Sequence, residues 1–285
     1  MRVPAKRALN DRECGDRAFG GACHTPTVVR TGTGESVLSR AIRIFDAFSV
    51  DDQALQVSEI ARRTRLHIAT ASRLISELVD HGLLERGPDR EVRIGVRMWE
   101  LASRASPTLS LRDAAMPFLE DLHAVVGHHV QLGVMEGDQV LFIERLSARD
   151  AVVNYSRIAG RLPAHISSSG HVLLAYGPQE RLDRVLAAPL DQYTAHTITS
   201  PDDLRSAVAK VRGQGFALCA GHVHEDAAGV AVPVRNGLHE VVAALAVVVP
   251  NDDRVAGHVP LLMAAARGVS RALSTTRRVD IRLRD

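Results

Sequence analysis

Hydrophobic residues in the first third of the chain repeat with the period of an α-helix. After Ser36 they recur three or four positions apart, which predicts a helix with one broad apolar face. A second, short helix is expected from Ser58 as its N-cap. A third runs from Ile68 to His81 and ends at Gly82, which can take the positive φ of a helix C-terminus. The short turn between them, Arg65–His67, is typical of a helix-turn-helix.

Two short strand-like segments follow these helices. Residues 83–86 and 92–94 flank a turn at 87–91, which predicts a two-stranded wing. A linker helix is expected next, beginning at Arg97. The predicted organisation is a disordered extension over residues 1–34, a winged helix-turn-helix over 35–96 and a linker over 97–110.

The remainder of the chain alternates helix-like and strand-like patterns. An amphipathic helix is predicted from Leu111 to Val126, and Asn236-Gly237 marks a β-hairpin. Ser200-Pro201 opens another helix with an N-cap followed by proline. We therefore expect an all-α winged helix-turn-helix domain followed by an α+β domain over residues 111–275, with a mostly antiparallel sheet. A frayed basic tail is expected over 276–285.

Composition narrows the class of protein. The chain has 285 residues, 46% of them hydrophobic, and a net charge of +2, which fits two globular domains. Its longest apolar run, Val241–Val249, is too short to cross a membrane, and the N-terminus carries no signal core. The three cysteines, Cys14, Cys23 and Cys219, form no framework of pairs. A cytoplasmic protein without membrane partners or cofactors is expected.

Basic residues cluster around the predicted helix-turn-helix. Arg62, Arg63, Arg65 and Arg73 lie between Ile60 and Ser76, a stretch that contains no acidic residue. Such a patch of one sign suits the phosphates of nucleic acid, although a solvated helix face has the same composition.

Several stretches together resemble one family of bacterial transcription factors, the isocitrate lyase regulator (IclR-type) family. The matching segments are Ser36–Ala41, Ser58–Ala61, Thr70–Leu78, Gly82–Arg86, Gly160–His165, Gly213–Ala217 and Ala231–Val234. The resemblance implies a GAF-like effector-binding domain and a homodimer or homotetramer on operator DNA. It also implies a transcriptional regulator rather than an enzyme, most often a repressor.

The predicted recognition helix would read DNA in the major groove. The residues expected at base edges are Ile68, Ala69, Thr70, Ser72 and Arg73. Arg62, Arg63 and Arg65 suit phosphate contacts, and Arg90 lies on the wing. Where the family commonly has Ser-Thr, this chain has Ala69-Thr70, so one hydroxyl is missing. A generic three-helix packing module is the alternative.

The resemblance also implies a ligand pocket in the C-terminal domain. Its lining would be Leu162, Ser168, Ser169, Cys219, Ala227, Gly229, Ala246 and Val248. Serines at a helix start can hold a carboxylate, although ordinary helix capping also explains them. Relatives that hold very polar acids have serine where this chain has Ala246 and Val248. An unpaired polar group on such a floor costs about 1–3 kcal/mol, so we expect a ligand with one anionic end and an apolar or aromatic body.

Two other classes of protein remain as alternatives. An enzyme would need a nucleophile beside a base, such as Ser167–Ser169 with His165 or His171, but no nucleophile elbow is present. A metal-binding or metal-sensing regulator would use Cys219, His222 and His224. On a strand, however, Cys219 would face away from the two histidines.

Overall fold

The computed structural model describes residues 35–49, 52–105 and 107–275. The disorder expected over residues 1–34, with Cys14 and Cys23, and the frayed tail expected over 276–285 lie outside these residues. The described chain divides into two compact units, one ending at residue 105 and the other beginning at residue 107. Within the described residues, no helix combines the length and the apolar character that crossing a membrane requires.

The N-terminal unit is a helix-turn-helix with a small sheet. Its helices are α1 (Val37–Asp46), α2 (Val57–Thr64), α3 (Ile68–Asp80) and α4 (Val96–Ala105), and its strands are β1 (Ala54–Leu55), β2 (Leu84–Arg86) and β3 (Val92–Ile94). Ser36 caps α1, because its side chain accepts a hydrogen bond from the Ser39 N–H at 3.0 Å. The cap predicted at Ser58 is wrong, since α2 begins one residue earlier and Gln56 occupies its N-cap position.

The sheet of this unit has a third strand that the sequence did not indicate. β3 lies between β1 and β2, and both pairings are antiparallel. With only two residues, β1 shows no alternation that a pattern search could detect. The helices and the sheet enclose one apolar core, which includes Ile44, Ile60, Leu74, Ile75, Leu84 and Val92.

The C-terminal unit is an α+β domain, as predicted. Its helices are α5 (Pro107–Val126), α6 (Ser168–Tyr176), α7 (Gln179–Ala187), α8 (Pro201–Gln214) and α9 (Val259–Thr275). Its strands are β4 (His129–Glu136), β5 (Gln139–Ser147), β6 (Arg161–Pro163), β7 (Ala217–Ala220), β8 (Ala227–Arg235) and β9 (Val241–Pro250). The six strands form one antiparallel sheet in the order β6-β5-β4-β9-β8-β7. α5 begins four residues before the predicted Leu111.

At the centre of β8 and β9, over positions 230–232 and 244–247, large side chains face one side of the sheet and alanines face the other. On β8 and β9, Val230, Val232, Leu245 and Val247 pack in one apolar cluster with residues of α5 and α9. The intervening Ala231, Ala244 and Ala246 belong to the opposite cluster, which includes residues of α6, α7 and α8. Because these side chains are short, α6 lies close to the strands, and its first turn meets the cavity described below.

The start of α6 also approaches the chain that precedes it. A Cβ placed on Gly170 would overlap the backbone of Ala164, including its carbonyl oxygen. Glycine is therefore required here by space rather than by φ, and it fixes where the first turn of α6 lies.

Substituting Gly170 is expected to destabilise the C-terminal unit. Because backbone atoms cannot move aside as a flexible side chain can, Gly170→Ala should lower the free energy of unfolding by about 2–3 kcal/mol. On α8, a Cβ on Gly213 has no atom within 4 Å, so Gly213→Ala should raise stability by roughly 0.5–1 kcal/mol through helix propensity. Chemical denaturation of both full-length variants measures the difference; equal stabilities would contradict this packing.

Candidate functional site

The outer face of α3 does not pack against the apolar core of the N-terminal unit. Ile68, Ala69 and Arg73 are exposed, whereas Thr70 and Ser72 are half-buried. The opposite face of the helix is buried in the core of the unit. The N-cap of α3 is His67, whose Nδ1 accepts a hydrogen bond from the Ala69 N–H at 3.3 Å. An imidazole therefore caps the helix at position 67, two residues before Ala69, the position at which this chain lacks the hydroxyl common in the family.

Arg65 closes the turn between α2 and α3. It lies in the left-handed region at φ 54° and is exposed. The following N–H, of Leu66, donates to the carbonyl of Ala61 at 3.1 Å, a bond that reaches back over the last turn of α2. Arg65 is thus an exposed arginine in the turn that precedes α3.

Arg62 and Arg63 are held by an acid just outside the stretch that the sequence analysis considered. Nε and an Nη of Arg62 lie 2.8 and 2.7 Å from the Glu59 carboxylate, and Arg63 Nε lies 2.6 Å from it. Hydrogen bonds from these two arginines lower the pKa of Glu59 from 4.5 to about 2. The carboxylate therefore stabilises the fold above pH 4.5, and this contribution is lost as pH falls toward 2.

Arg62 and Arg63 differ in how many groups of the fold they bind and in how exposed their side chains are. Arg63 also binds Asp52 at 2.9 Å and donates to the Ala47 carbonyl at 3.0 Å, so it ties α2 to the segment after α1. Its side chain is 30% exposed, against 73% for that of Arg62. A phosphate contact therefore suits Arg62 far better than Arg63.

Removing the charge of Glu59 is expected to strengthen DNA binding. Glu59→Gln releases Arg62 from its pair, so affinity for all duplexes should rise up to roughly fivefold. The dependence of log K on log salt should steepen by about one phosphate contact. Fluorescence anisotropy with a random duplex measures both. Glu180→Gln on α7 removes the same charge in the other unit and should change neither; an equal gain there would assign the effect to overall charge.

The wing carries Arg90 at its turn. Arg90 is exposed, has φ 59°, and its N–H donates to the Gly87 carbonyl at 3.1 Å. Arg93, on β3, instead pairs with Glu91 at 2.6 Å. Arg90, at the turn, is thus better placed than Arg93 for contact with a partner.

The C-terminal unit contains a cavity of about 50 Å³ between the start of α6 and the sheet. Its wall is formed by Gln131, Val153, Asn154, Tyr155, Leu162, Ile166, Ser167, Ser168, Cys219, Val223, His224, Ala227, Gly229 and Val248. Ser167 is the N-cap of α6 and accepts the Gly170 N–H at 3.1 Å. Backbone N–H groups of the first helical turn therefore lie at one side of the cavity.

Two residues expected in the lining lie elsewhere. Leu162, Ser168, Cys219, Ala227, Gly229 and Val248 are on the wall, but Ser169 and Ala246 are not. Ser169 is fully buried within α6, and Ala246 is fully buried in the apolar cluster beneath that helix. Ala246 packs in the same apolar cluster as residues of α6, which keeps it off the cavity wall.

The expectation of an apolar floor is wrong in one respect. Gln131 lines the cavity from β4, directly opposite Ala246 in the β4–β9 register. Its side-chain oxygen accepts hydrogen bonds from Ser156 Oγ at 2.5 Å and from Asn154 Nδ2 at 3.3 Å. The sequence offered no signal for this network, because residues 151–157 have no regular pattern.

Segment 151–157 has no regular secondary structure and forms part of the cavity wall. Arg145 on β5 donates to the carbonyls of Asn154 and Ser156. A ring nitrogen of His129 lies 2.6 Å from the Val152 carbonyl oxygen. Burial lowers the pKa of His129 and of Arg145. A few hydrogen bonds from the sheet thus hold this segment over the cavity.

Three potential metal ligands meet beside the cavity, but they are not the predicted three. His171, Cys219 and His222 place their ligand atoms within 4.8 Å of one another. His224 is replaced by His171 of α6, which no sequence spacing connects to Cys219. Burial lowers the pKa of His171 to about 4 and raises that of the Cys219 thiol.

One ring nitrogen of His165 and both ring nitrogens of His171 contact groups other than the serines proposed for catalysis. A ring nitrogen of His165 lies 3.0 Å from the Asp191 carbonyl oxygen, and His171 Nε2 lies 2.8 Å from that of His165. His171 Nδ1 faces Cys219 Sγ at 3.5 Å. Neither imidazole is therefore positioned as a base for Ser167–Ser169.

Comparison with known proteins matches both units. Residues 37–88 match the IclR helix-turn-helix domain, and residues 104–275 match the bacterial transcriptional regulator IclR C-terminal domain. The transcriptional regulator XynR of Escherichia coli is 30% identical over 242 residues, which cover 83% of this chain and 96% of XynR.

Solved structures give the same result. An IclR homolog from Microbacterium hydrocarbonoxydans, crystallised with 4-hydroxybenzoate, is 44% identical and has a TM-score of 0.80. The match covers 84% of this chain and 99% of that one. A transcriptional regulator from Rhodococcus sp. RHA1 is 28% identical over 84% of this chain and 98% of its own, with a TM-score of 0.72. The chain belongs to the IclR family of helix-turn-helix transcriptional regulators, which are not enzymes.

Proposed function

We propose that this regulator represses transcription from operator DNA in the cytoplasm and that a small aromatic carboxylic acid controls it. The observation that carries the ligand class is the cavity, which combines helix N–H groups, apolar walls and a polar network. Family membership establishes DNA binding and effector binding in general terms. The sign of regulation, the ligand and the contact residues are proposals.

The exposed face of α3 is assigned to the major groove. Ile68, Ala69 and Arg73 project furthest, and Thr70 and Ser72 flank them closer to the body of the unit. Arginine is the residue that most often reads guanine, through two hydrogen bonds, so Arg73 is the proposed base-reading side chain.

Phosphate contacts are assigned to arginines outside that face. Arg65, in the turn, and Arg90, on the wing, are exposed, and Arg62 is exposed although paired with Glu59. Arg63 is left out of this set because three hydrogen-bond acceptors of the fold already hold it. Such contacts position a protein on DNA without reading its sequence.

The cavity suits a flat ring with polar groups at two ends. The first turn of α6, with Ser168, offers donors to a carboxylate. Leu162, Ile166 and Val248 provide apolar surface for a ring. Gln131 and Asn154 can bind a second polar group such as a phenol hydroxyl. The relative crystallised with 4-hydroxybenzoate makes this compound the first ligand to test.

Binding would require the cavity to enlarge. About 50 Å³ is far below the roughly 300–1,000 Å³ of typical small-molecule sites. Segment 151–157 is the part of the wall without helix or strand, so we propose that it moves outward as the ligand enters. A ligand that favours the enlarged form over the closed one shifts the balance between conformations, as allosteric control requires.

A homodimer or a higher homo-oligomer is proposed from apolar side chains left exposed in the N-terminal unit. Trp99 on α4 is 70% exposed and Leu38 on α1 is 70% exposed, and Ile42 and Val96 are also exposed. Large exposed apolar residues of this kind mark protein contacts. Sedimentation equilibrium should give at least twice the 30.8 kDa chain mass, and Trp99→Lys should weaken the association.

One experiment tests the proposed function as a whole. A duplex is selected from a random library with the full-length protein, and its binding is followed by anisotropy as 4-hydroxybenzoate is added. We expect a saturable change in affinity, and derepression of a reporter gene placed behind the selected duplex. Cyclohexanecarboxylate is the control without an aromatic ring. Selection that yields no sequence would contradict specific DNA binding; an equal response to both acids would contradict the aromatic class.

A further inference from the structure

We propose that His171, Cys219 and His222 form a binding site for one Zn²⁺ ion beside the effector cavity. Their ligand atoms, one thiol sulfur and two imidazole nitrogens, lie within 4.8 Å of one another. The three residues come from α6, from β7 and from the turn after β7, so the fold rather than local sequence brings them together.

The pair His171 and Cys219 already has the spacing of two ligands on one ion. Zn–S and Zn–N bonds of about 2.3 and 2.0 Å put tetrahedral donors roughly 3.3–3.7 Å apart. Cys219 Sγ and His171 Nδ1 are 3.5 Å apart. The 4.8 Å limit on the three atoms means that a shift of the His222 ring by up to about 1.5 Å completes the set.

The tautomer of His171 directs a lone pair toward the site. Its Nε2 lies 2.8 Å from the carbonyl oxygen of His165, which can only accept, so Nε2 carries the hydrogen. Nδ1 is then unprotonated and faces Cys219 Sγ. A metal-binding histidine usually has this arrangement, in which a backbone carbonyl fixes the ring through the nitrogen that does not bind the metal.

His222 is also positioned, and one of its nitrogens is unsatisfied. Its Nδ1 is buried without a hydrogen-bond partner, which is costly for a polar atom and is an independent sign that a ligand belongs here. The backbone at this point is fixed, because Thr197 Oγ1 donates to the His222 carbonyl and Thr194 Oγ1 donates to the Gly221 carbonyl, each at 2.6 Å.

The donor set selects the metal. Two imidazoles and one thiolate suit Zn²⁺, which is usually four-coordinate in proteins, and leave a fourth position for water or another ligand. On binding, the Cys219 thiol loses its proton to solvent and the thiolate binds the ion. Because Cys219 also lines the effector cavity, the open position lies close to that cavity.

His224 provides a matched control two residues from His222. It lines the cavity, its ring centroid lies 6.1 Å from that of Tyr155, and its Nδ1 accepts the Asp226 N–H. It does not belong to the three-residue cluster.

The test uses the full-length protein with Cys14 and Cys23 changed to serine, stripped with EDTA. Elemental analysis after Zn²⁺ loading and desalting should give one Zn²⁺ per chain. Co²⁺ should give a thiolate-to-metal charge-transfer band, because Cys219 is the thiol that remains. Cys219→Ser should lose the band, and His222→Gln should lose stoichiometric Zn²⁺ binding, whereas His224→Gln should keep both.

Two results would overturn the site. One is the absence of the charge-transfer band in the EDTA-stripped parent, a result that needs no variant to fold. The other is an equal loss of Zn²⁺ in His222→Gln and His224→Gln, with circular dichroism showing both folded. Neither measurement involves DNA or an organic effector, so the site can fail while the proposed function stands.

Discussion

Changing Arg73 to alanine is expected to remove much of the preference for the operator over other DNA. Arg73 lies exposed on the outer face of α3, where an arginine can bind guanine through two hydrogen bonds. Losing one such contact costs about 1–3 kcal/mol, which weakens operator binding by roughly 5- to 150-fold. Binding to random duplexes should change little, so the ratio of the two affinities falls by nearly the same factor.

Arg62→Ala is the matched control, since it removes one exposed arginine from the preceding helix. Arg62 is assigned to a phosphate and is partly neutralised by Glu59, so its loss should weaken operator and random duplexes alike. Anisotropy with both duplexes at several salt concentrations measures these quantities. A uniform loss for Arg73→Ala would place base reading on another residue of α3.

Filling the cavity is expected to weaken the response to effector and leave DNA binding intact. A Cβ on Gly229 would lie 2.8 Å from Ser168 Oγ, beside the start of α6. Gly229→Val therefore places three carbons in a cavity of about 50 Å³. Overpacking of 1–3 kcal/mol corresponds to a roughly 5- to 150-fold loss of affinity for 4-hydroxybenzoate. Because β-branched residues suit strands, β8 should remain folded.

Gly213→Val makes the same change on an open helix face of the same unit, where a Cβ meets nothing within 4 Å. We expect its affinity for 4-hydroxybenzoate, measured by isothermal titration, and its affinity for the selected duplex, measured by anisotropy, to stay close to those of the wild type. If Gly229→Val binds the acid with unchanged affinity, the ligand site lies elsewhere. This result would not affect the assignment of Arg73 to base reading.

Local patterns predicted the elements well where residues close in sequence determine the conformation of the backbone. The helix period after Ser36, the hairpin at Asn236-Gly237 and the proline opening α8 all depend on neighbours in sequence. The predictions fail where a contact between residues distant in sequence determines the local structure. Gln56, which directly follows β1, is the N-cap of α2 in place of Ser58, and β1 is a strand through its pairing with β3.

The same contrast between local patterns and distant contacts applies to the candidate sites. The family resemblance implied Cys219, Gly229 and Val248 as cavity residues, and they line the cavity, but it could not show that Ala246 is buried in the apolar cluster instead. The pairing of Glu59 with Arg62 and Arg63 was not predicted, because Glu59 lies one residue before the basic stretch. One helical turn nevertheless brings it to both arginines. Gln131 meets Ser156 across 25 residues, and His171 meets Cys219 across 48. Such contacts depend on tertiary packing that no spacing encodes.

The sheet separates the apolar cluster that packs on α5 and α9 from the effector cavity, and this separation bears on how such a regulator can evolve. The valines and leucines toward α5 and α9 supply much of the cohesion of the unit, while the cavity lies on the other side of the sheet. Mutations that reshape the cavity are thus separated by a full layer of backbone from the side chains that secure the fold. A lineage can exchange one inducer for another through single substitutions at the cavity wall, each tolerated because the opposite layer keeps the free energy of unfolding above its threshold.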